Sequence, residues 1–194
     1  MRVLLASKSP RRRELLEMLR ISFEVVDLGN IEEKYPEDLA KEEVPEFLSR
    51  LKAEAYKSEL RENELLITAD TVVILEGEIL GKPKDEDDAK EMLARLAGKT
   101  HLVVSGVTVT TLREDVTFKT VTRVKFGPLT KEQIAYYVEN FRPLDKAGAY
   151  GIQEWIGGVA VEGIEGSYYN VMGLPVHRLY KELCHFLPML PPNM

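Results

Sequence analysis

Intramolecular disulfides are excluded at once, because the 194-residue chain has one cysteine, Cys184. That scarcity suits a reducing compartment. No apolar run approaches the roughly 20 residues needed to span a bilayer. The opening MRVLLASKSP turns polar too soon for a signal peptide. A cytoplasmic location, with no membrane partner, is the default expectation. Positive charge is in deficit, with 26 Lys and Arg against 32 Asp and Glu and a net charge of −6. General attraction to nucleic acid is therefore not expected, and there is no aromatic-basic stripe to provide it. The three histidines, His101, His177 and His185, lie too far apart in sequence to suggest a metal-ligand spacing. Gly81-Lys82 lacks the upstream glycine of a P-loop, and neither a G-x-G-x-x-G fingerprint nor a nucleophile elbow occurs. Internal repeats and low-complexity blocks are missing too.

What is present reads as one α/β domain over residues 1–194, with no independent second domain. Arg2–Ala6 is a short buried strand, and Ser9 caps a helix with Pro10 at its first position. Phe23–Asp27 reads as a strand, followed by an irregular acidic stretch from Asn30 to Lys41. Pro45 opens a helix to about Leu60, expected to bury Phe47, Leu48, Leu51 and Ala55. Leu65–Ala69 and Val72–Leu75 read as two short strands with Asp70-Thr71 between them. Asp85 caps a helix that stops at Gly98, and Thr130 with Gln133 forms a capping box. Alternating Val and Thr over Thr100–Leu112 and Thr117–Phe126 predict an antiparallel hairpin. Pro143–Tyr169 is expected to form loops and short strands, and Pro175 opens a final helix. The tail Leu187–Met194 is expected to be loose. This order implies a mixed sheet with flanking helices.

Four stretches carry chemistry. In Ser7-Lys8-Ser9-Pro10-Arg11-Arg12-Arg13, three arginines open a helix against its dipole, each costing up to about 1 kcal/mol. An anion bound there would offset that cost; the alternative is solvated arginines, some pairing with Glu14 or Glu17. Asp70 stands between two apolar runs, where a carboxylate needs a metal, a cation or donors. Its plainer reading is an Asx-turn. Lys82, in Gly81-Lys82-Pro83-Lys84, is a mobile charge suited to phosphate or merely a solvated loop lysine. Lys52 either snorkels to solvent or points into a cleft. In the stretch from Asp145 to Gln153, the Gln153 amide could pair with the edge of a base. Asp145 would bind metal or form a salt bridge with Lys146.

Taken in register, LASKSPRRRELL, ADTVV, GKP, DKAGAYGIQ and GSYYNVMGLP resemble the Maf family of nucleotide pyrophosphatases over nearly the whole chain. The resemblance implies a twisted mixed-sheet fold similar to the inosine triphosphate pyrophosphatases, with two lobes around a cleft. It implies cleavage of a nucleoside triphosphate between the α and β phosphates, with a divalent cation, Mg²⁺ or Mn²⁺, as cofactor. Asp70 would be the proton acceptor. Ser7, Arg11, Lys52 and Lys82 would line the polyphosphate site, and Glu32, from the Glu32-Glu33 pair, would help Asp70 hold metal. GAYGIQ resembles the subgroup acting on dTTP and UTP, and Arg11, Thr71 and Gln153 match its specificity positions; Arg13 is an extra arginine. Family habit adds a homodimer. The rival expectations are a nucleotide-binding regulator of cell division that does not hydrolyse, and a house-cleaning activity toward modified pyrimidine nucleotides.

Overall fold

The computed structural model describes residues 1–188; residues 189–194, most of the tail expected to be loose, lie outside the described residues. In chain order the elements are β1 (Arg2–Ala6), α1 (Pro10–Glu17), β2 (Phe23–Val25), α2 (Val44–Tyr56), β3 (Glu64–Leu75), β4 (Glu78–Leu80) and α3 (Glu86–Leu96). Then follow β5 (Thr100–Thr110), β6 (Asp115–Phe126), α4 (Lys131–Phe141), α5 (Trp155–Ala160), β7 (Val161–Glu165), α6 (Tyr168–Met172) and α7 (Val176–Phe186). The seven strands form one sheet in the order β2-β1-β3-β5-β6-β7, with β4 paired to β3. β1 is parallel to β2 and β3, whereas β4 on β3 and β7 on β6 are antiparallel. The mixed sheet with flanking helices is the expected class.

Local signals set several boundaries. The Ser9 side chain caps α1, Asp85 caps α3, and Thr130 with Gln133 completes the capping box of α4. Gly98 stands past the end of α3 with φ +70°, a conformation that glycine adopts without strain. Three expectations need correction. β3 is a single twelve-residue strand, so Asp70-Thr71 is not a turn; these two half-buried residues interrupt an otherwise buried strand. The buried face of α2 is Val44, Pro45, Leu48, Ser49 and Ala53, with Ala55 exposed and Phe47 and Leu51 half-buried. Pro143–Tyr169 contains α5 and the start of α6, besides strand β7.

The chain divides into two compact units. The first takes, among the described residues, 1–70, 105–120 and 173–188. Leu4, Leu5, Leu15, Leu16, Leu65, Leu66 and Ile67 are buried there. Its α2 lies close on β5: a Cβ on Gly106 would stand 2.2 Å from the Pro45 carbonyl carbon and 2.3 Å from the Glu46 nitrogen. The Ser49 hydroxyl, buried in the same unit, meets the Thr108 hydroxyl at 3.0 Å and donates to the Glu46 carbonyl at 2.8 Å. Backbone cannot yield as a side-chain tip can. Gly106→Ala should therefore destabilise the protein by about 2 kcal/mol or more, read as a lower urea midpoint at unchanged slope.

The second unit, residues 71–104 and 121–172, has its own core of Val73, Leu80, Leu93, Val124, Phe126, Tyr137 and Ile156. His101 is buried in it, edge-on to Phe126 and Tyr150 at centroid distances of 5.0 and 5.4 Å. Its Nε2 and the Tyr150 hydroxyl share a 2.7 Å hydrogen bond. Burial disfavours the imidazolium and lowers the pKa from 6.5 to about 4. The unfolded chain therefore takes up this proton first. The contribution of His101 is intact above pH 6.5 and is lost progressively as the pH falls toward 4, by roughly 3 kcal/mol in full. In His101→Phe, the decline in stability between pH 6.5 and 4 should be shallower by that amount in urea titrations at each pH.

Candidate active site

In the first unit, β1 delivers Ser7 into the turn before α1. The Ser7 hydroxyl is buried and accepts from the Ser9 amide at 3.2 Å and from Arg12 Nη1 at 3.5 Å. No acid occupies the first turn of α1. The arginines that fill it differ in their surroundings. Arg13 is exposed, and Arg11 is half-buried. Arg12 turns inward. Its Nε donates to the Gly173 carbonyl at 2.9 Å and its Nη1 to the Ala69 carbonyl at 2.8 Å. One planar fork thus joins α1, the residue before Asp70 and the segment leading to α7. Burial works against the Arg12 charge and lowers its pKa below the usual guanidinium value; Asp70 opposes that shift, Arg11 adds to it, and Glu33 opposes it.

Asp70 is met by Lys52 from α2. Lys52 Nζ lies 2.7 Å from Asp70 Oδ1 and 3.1 Å from Glu33 Oε1, and its side chain is only 12% exposed. Lys52 does not snorkel. The strand carries the Asp70 carboxylate, the helix carries the cation that compensates it, and the irregular acidic stretch supplies a second carboxylate. Of the acidic pair, Glu33 joins this cluster; Glu32 is 73% exposed and pairs with Lys34 at 2.5 Å. Chemically, the group offers two carboxylates around a lysine, with the Arg12 fork on the residue before Asp70. No group of three or more His, Cys, Asp or Glu suited to a metal occurs among the described residues. Mg²⁺ does not require one, since it commonly binds through one or two carboxylates together with substrate phosphates and water. The donor set of Asp70 and Glu33 fits that habit.

In the second unit, the loops of Lys82 and Gln153 belong to connected segments. The Gly148 amide donates to the Gly81 carbonyl at 3.0 Å, tying the GKP turn to the 3₁₀ turn Ala147–Ala149. Lys82 is exposed. Gln153 is exposed, and Thr71, next to Asp70 on β3, is half-buried. Asp145 pairs with Lys146 at 2.7 Å, which is the salt-bridge reading of that residue. Trp155 packs edge-on to Tyr136 at 5.0 Å, and Cys184 is half-buried on α7 rather than in the core.

Sequence reasoning passed over Arg12, whose inward turn nothing in a run of three arginines announces. It preferred Glu32 over Glu33, a choice that two adjacent glutamates in an irregular segment leave open. Arg12→Lys keeps a charge but cannot reproduce the fork. The loss of carbonyl contacts should lower stability by about 2 kcal/mol, measured by chemical denaturation; a lysine variant as stable as the parent would contradict the clamp.

A family model described as Maf-like protein matches residues 2–186. A protein of Phocaeicola vulgatus named dTTP/UTP pyrophosphatase is 54% identical over 182 residues, covering 94% of each chain. One of the same name from Porphyromonas gingivalis is 53% identical over 187 residues, covering 95% of this chain and 94% of its own. Among solved structures, a HAM1 protein from Coxiella burnetii superposes with a TM-score of 0.50 at 14% identity, covering 95% of this chain and 99% of that one. That likeness concerns the fold alone.

Proposed function

The chain belongs to the Maf family, and on that premise we infer that it is a nucleoside triphosphate pyrophosphatase that hydrolyses dTTP and UTP to the monophosphate and pyrophosphate. The identities of 54% and 53% to proteins named for that activity support the substrate class. The observation that carries the chemistry is the carboxylate of Asp70, half-buried in mid-strand and held against Lys52 beside Glu33.

In this reading water attacks the α-phosphorus, the bond from that phosphorus to the bridging oxygen breaks, and pyrophosphate leaves. Asp70 accepts the proton of the attacking water. Lys52, already next to Asp70, and Arg11, in the α1 turn, meet negative charge on the phosphates. By the family matching, Ser7 and Lys82 also serve the polyphosphate, while Thr71 and Gln153 serve specificity. A glutamine amide can bond O4 and N3–H of uracil or thymine together. Asp70 and Glu33 are the residues that would hold a divalent cation, Mg²⁺ or Mn²⁺, with Glu33 replacing Glu32 in that role. When bound, such an ion supplies Lewis-acid polarisation of phosphoryl oxygens and a more acidic water.

Asp70→Asn keeps the shape and removes the base. Pyrophosphate release from dTTP or UTP with Mg²⁺ should fall by about 10²- to 10⁴-fold. Wild-type turnover in that variant would refute the assignment of Asp70. A wild-type protein that binds these nucleotides and releases no pyrophosphate would point to the non-hydrolysing regulator.

A further inference from the structure

The segment that carries Gln153 is held by buried polar groups that the hydrolytic chemistry does not use. Lys146 is only 9% exposed in its side chain, and its Nζ lies 2.7 Å from Asp145 Oδ1 and 3.1 Å from Glu154 Oε1. The second oxygen of Glu154 accepts from the Tyr137 hydroxyl, on α4. That hydroxyl in turn accepts from the Gly151 amide at 3.0 Å. A backbone bond from the Glu154 amide to the Gly151 carbonyl, also 3.0 Å, closes the turn. The residues on both sides of exposed Gln153 are therefore anchored to one chain of groups, from the Gly151 amide through Tyr137 and Glu154 to Lys146.

Gly151 is part of the same arrangement. A Cβ there would stand 2.9 Å from the Glu154 carboxyl carbon and 3.1 Å from Gln153 Nε2, so both side chains fold over the bare glycine. A buried ion pair is a poor device for stability alone, since well-packed apolar residues often do as well. Its distinctive property is directional: every member must keep its place for the others to remain satisfied. Here that order converges on one exposed amide.

We propose that Lys146, Glu154 and Tyr137 are positioning residues for base recognition, fixing the turn that presents Gln153 without touching substrate themselves. The proposal rests on the reading of Gln153 as the partner of the pyrimidine edge.

The test compares wild type with Tyr137→Phe, Glu154→Gln, Lys146→Met and Lys146→Arg. Each is assayed for kcat and KM with UTP and dTTP, and for competitive inhibition by inorganic tripolyphosphate, which has the tail without the base. Tyr137→Phe and Glu154→Gln should raise KM for both nucleotides by about tenfold with kcat little changed. The inhibition constant of tripolyphosphate should stay at its wild-type value. Lys146→Arg should retain more of the nucleotide affinity than Lys146→Met. Folded variants with unchanged KM, or with KM and the tripolyphosphate constant rising together, would overturn the proposal. Should Lys146→Met fail to fold, the two near-isosteric variants decide. A wild-type protein inert toward both nucleotides would be a separate result, removing the proposed function and this inference with it.

Discussion

The 2.7 Å contact between Lys52 and Asp70 is the constraint on which the first unit is organised. An aspartate is poorly suited to a strand, and one flanked by buried residues on a twelve-residue strand needs compensation. Lys52 provides it from α2, and Glu33 shares the same ammonium from an otherwise irregular segment. The Arg12 fork then fixes the backbone one residue upstream, at Ala69. Opposite charges are gathered in one region, with Lys52 and Asp70 largely withdrawn from bulk water and Glu33 half exposed to it. Such a region suits a ligand that is itself multiply charged.

The arginine run shows how one short sequence is divided between structure and chemistry. Arg12 spends its donors on carbonyls and the Ser7 hydroxyl, while Arg11 stays half-buried and Arg13 is exposed. Neighbouring residues on a helix face different directions, so three like charges in succession cannot all point the same way. The unfavourable dipole at the head of α1 is thus offset in part by the protein itself, through the carbonyl oxygens that meet Arg12.

Much of the fold was legible because its signals are local. Ser9, Asp85 and the pair Thr130 and Gln133 act on backbone within three residues, and each cap stands where spacing predicts it. Asp70 misled for the opposite reason. Its local preference is for a break, and the group that lets the strand continue, Lys52, lies eighteen residues upstream on another element. The face of α2 was misread similarly, because the bare surface of Gly106, on a strand far along the chain, draws in the Pro45 end of the helix. At the site, motif order pointed to Asp70, Lys52 and the Gly-rich segment. Side-chain direction separated Glu33 from Glu32 and turned Arg12 inward, and direction is a property of packing that residue type does not encode.

The chain passes between its two units at Asp70-Thr71, Val104-Ser105, Thr120-Val121 and Met172-Gly173, and the first three of these junctions fall inside β3, β5 and β6. Neither unit is a continuous stretch of gene. The segment bearing Gln153 therefore cannot be exchanged between relatives by splicing in a whole module without cutting strands that both units share. Change in such a segment is left to point substitutions and loop edits, a slower route than the shuffling of whole modules.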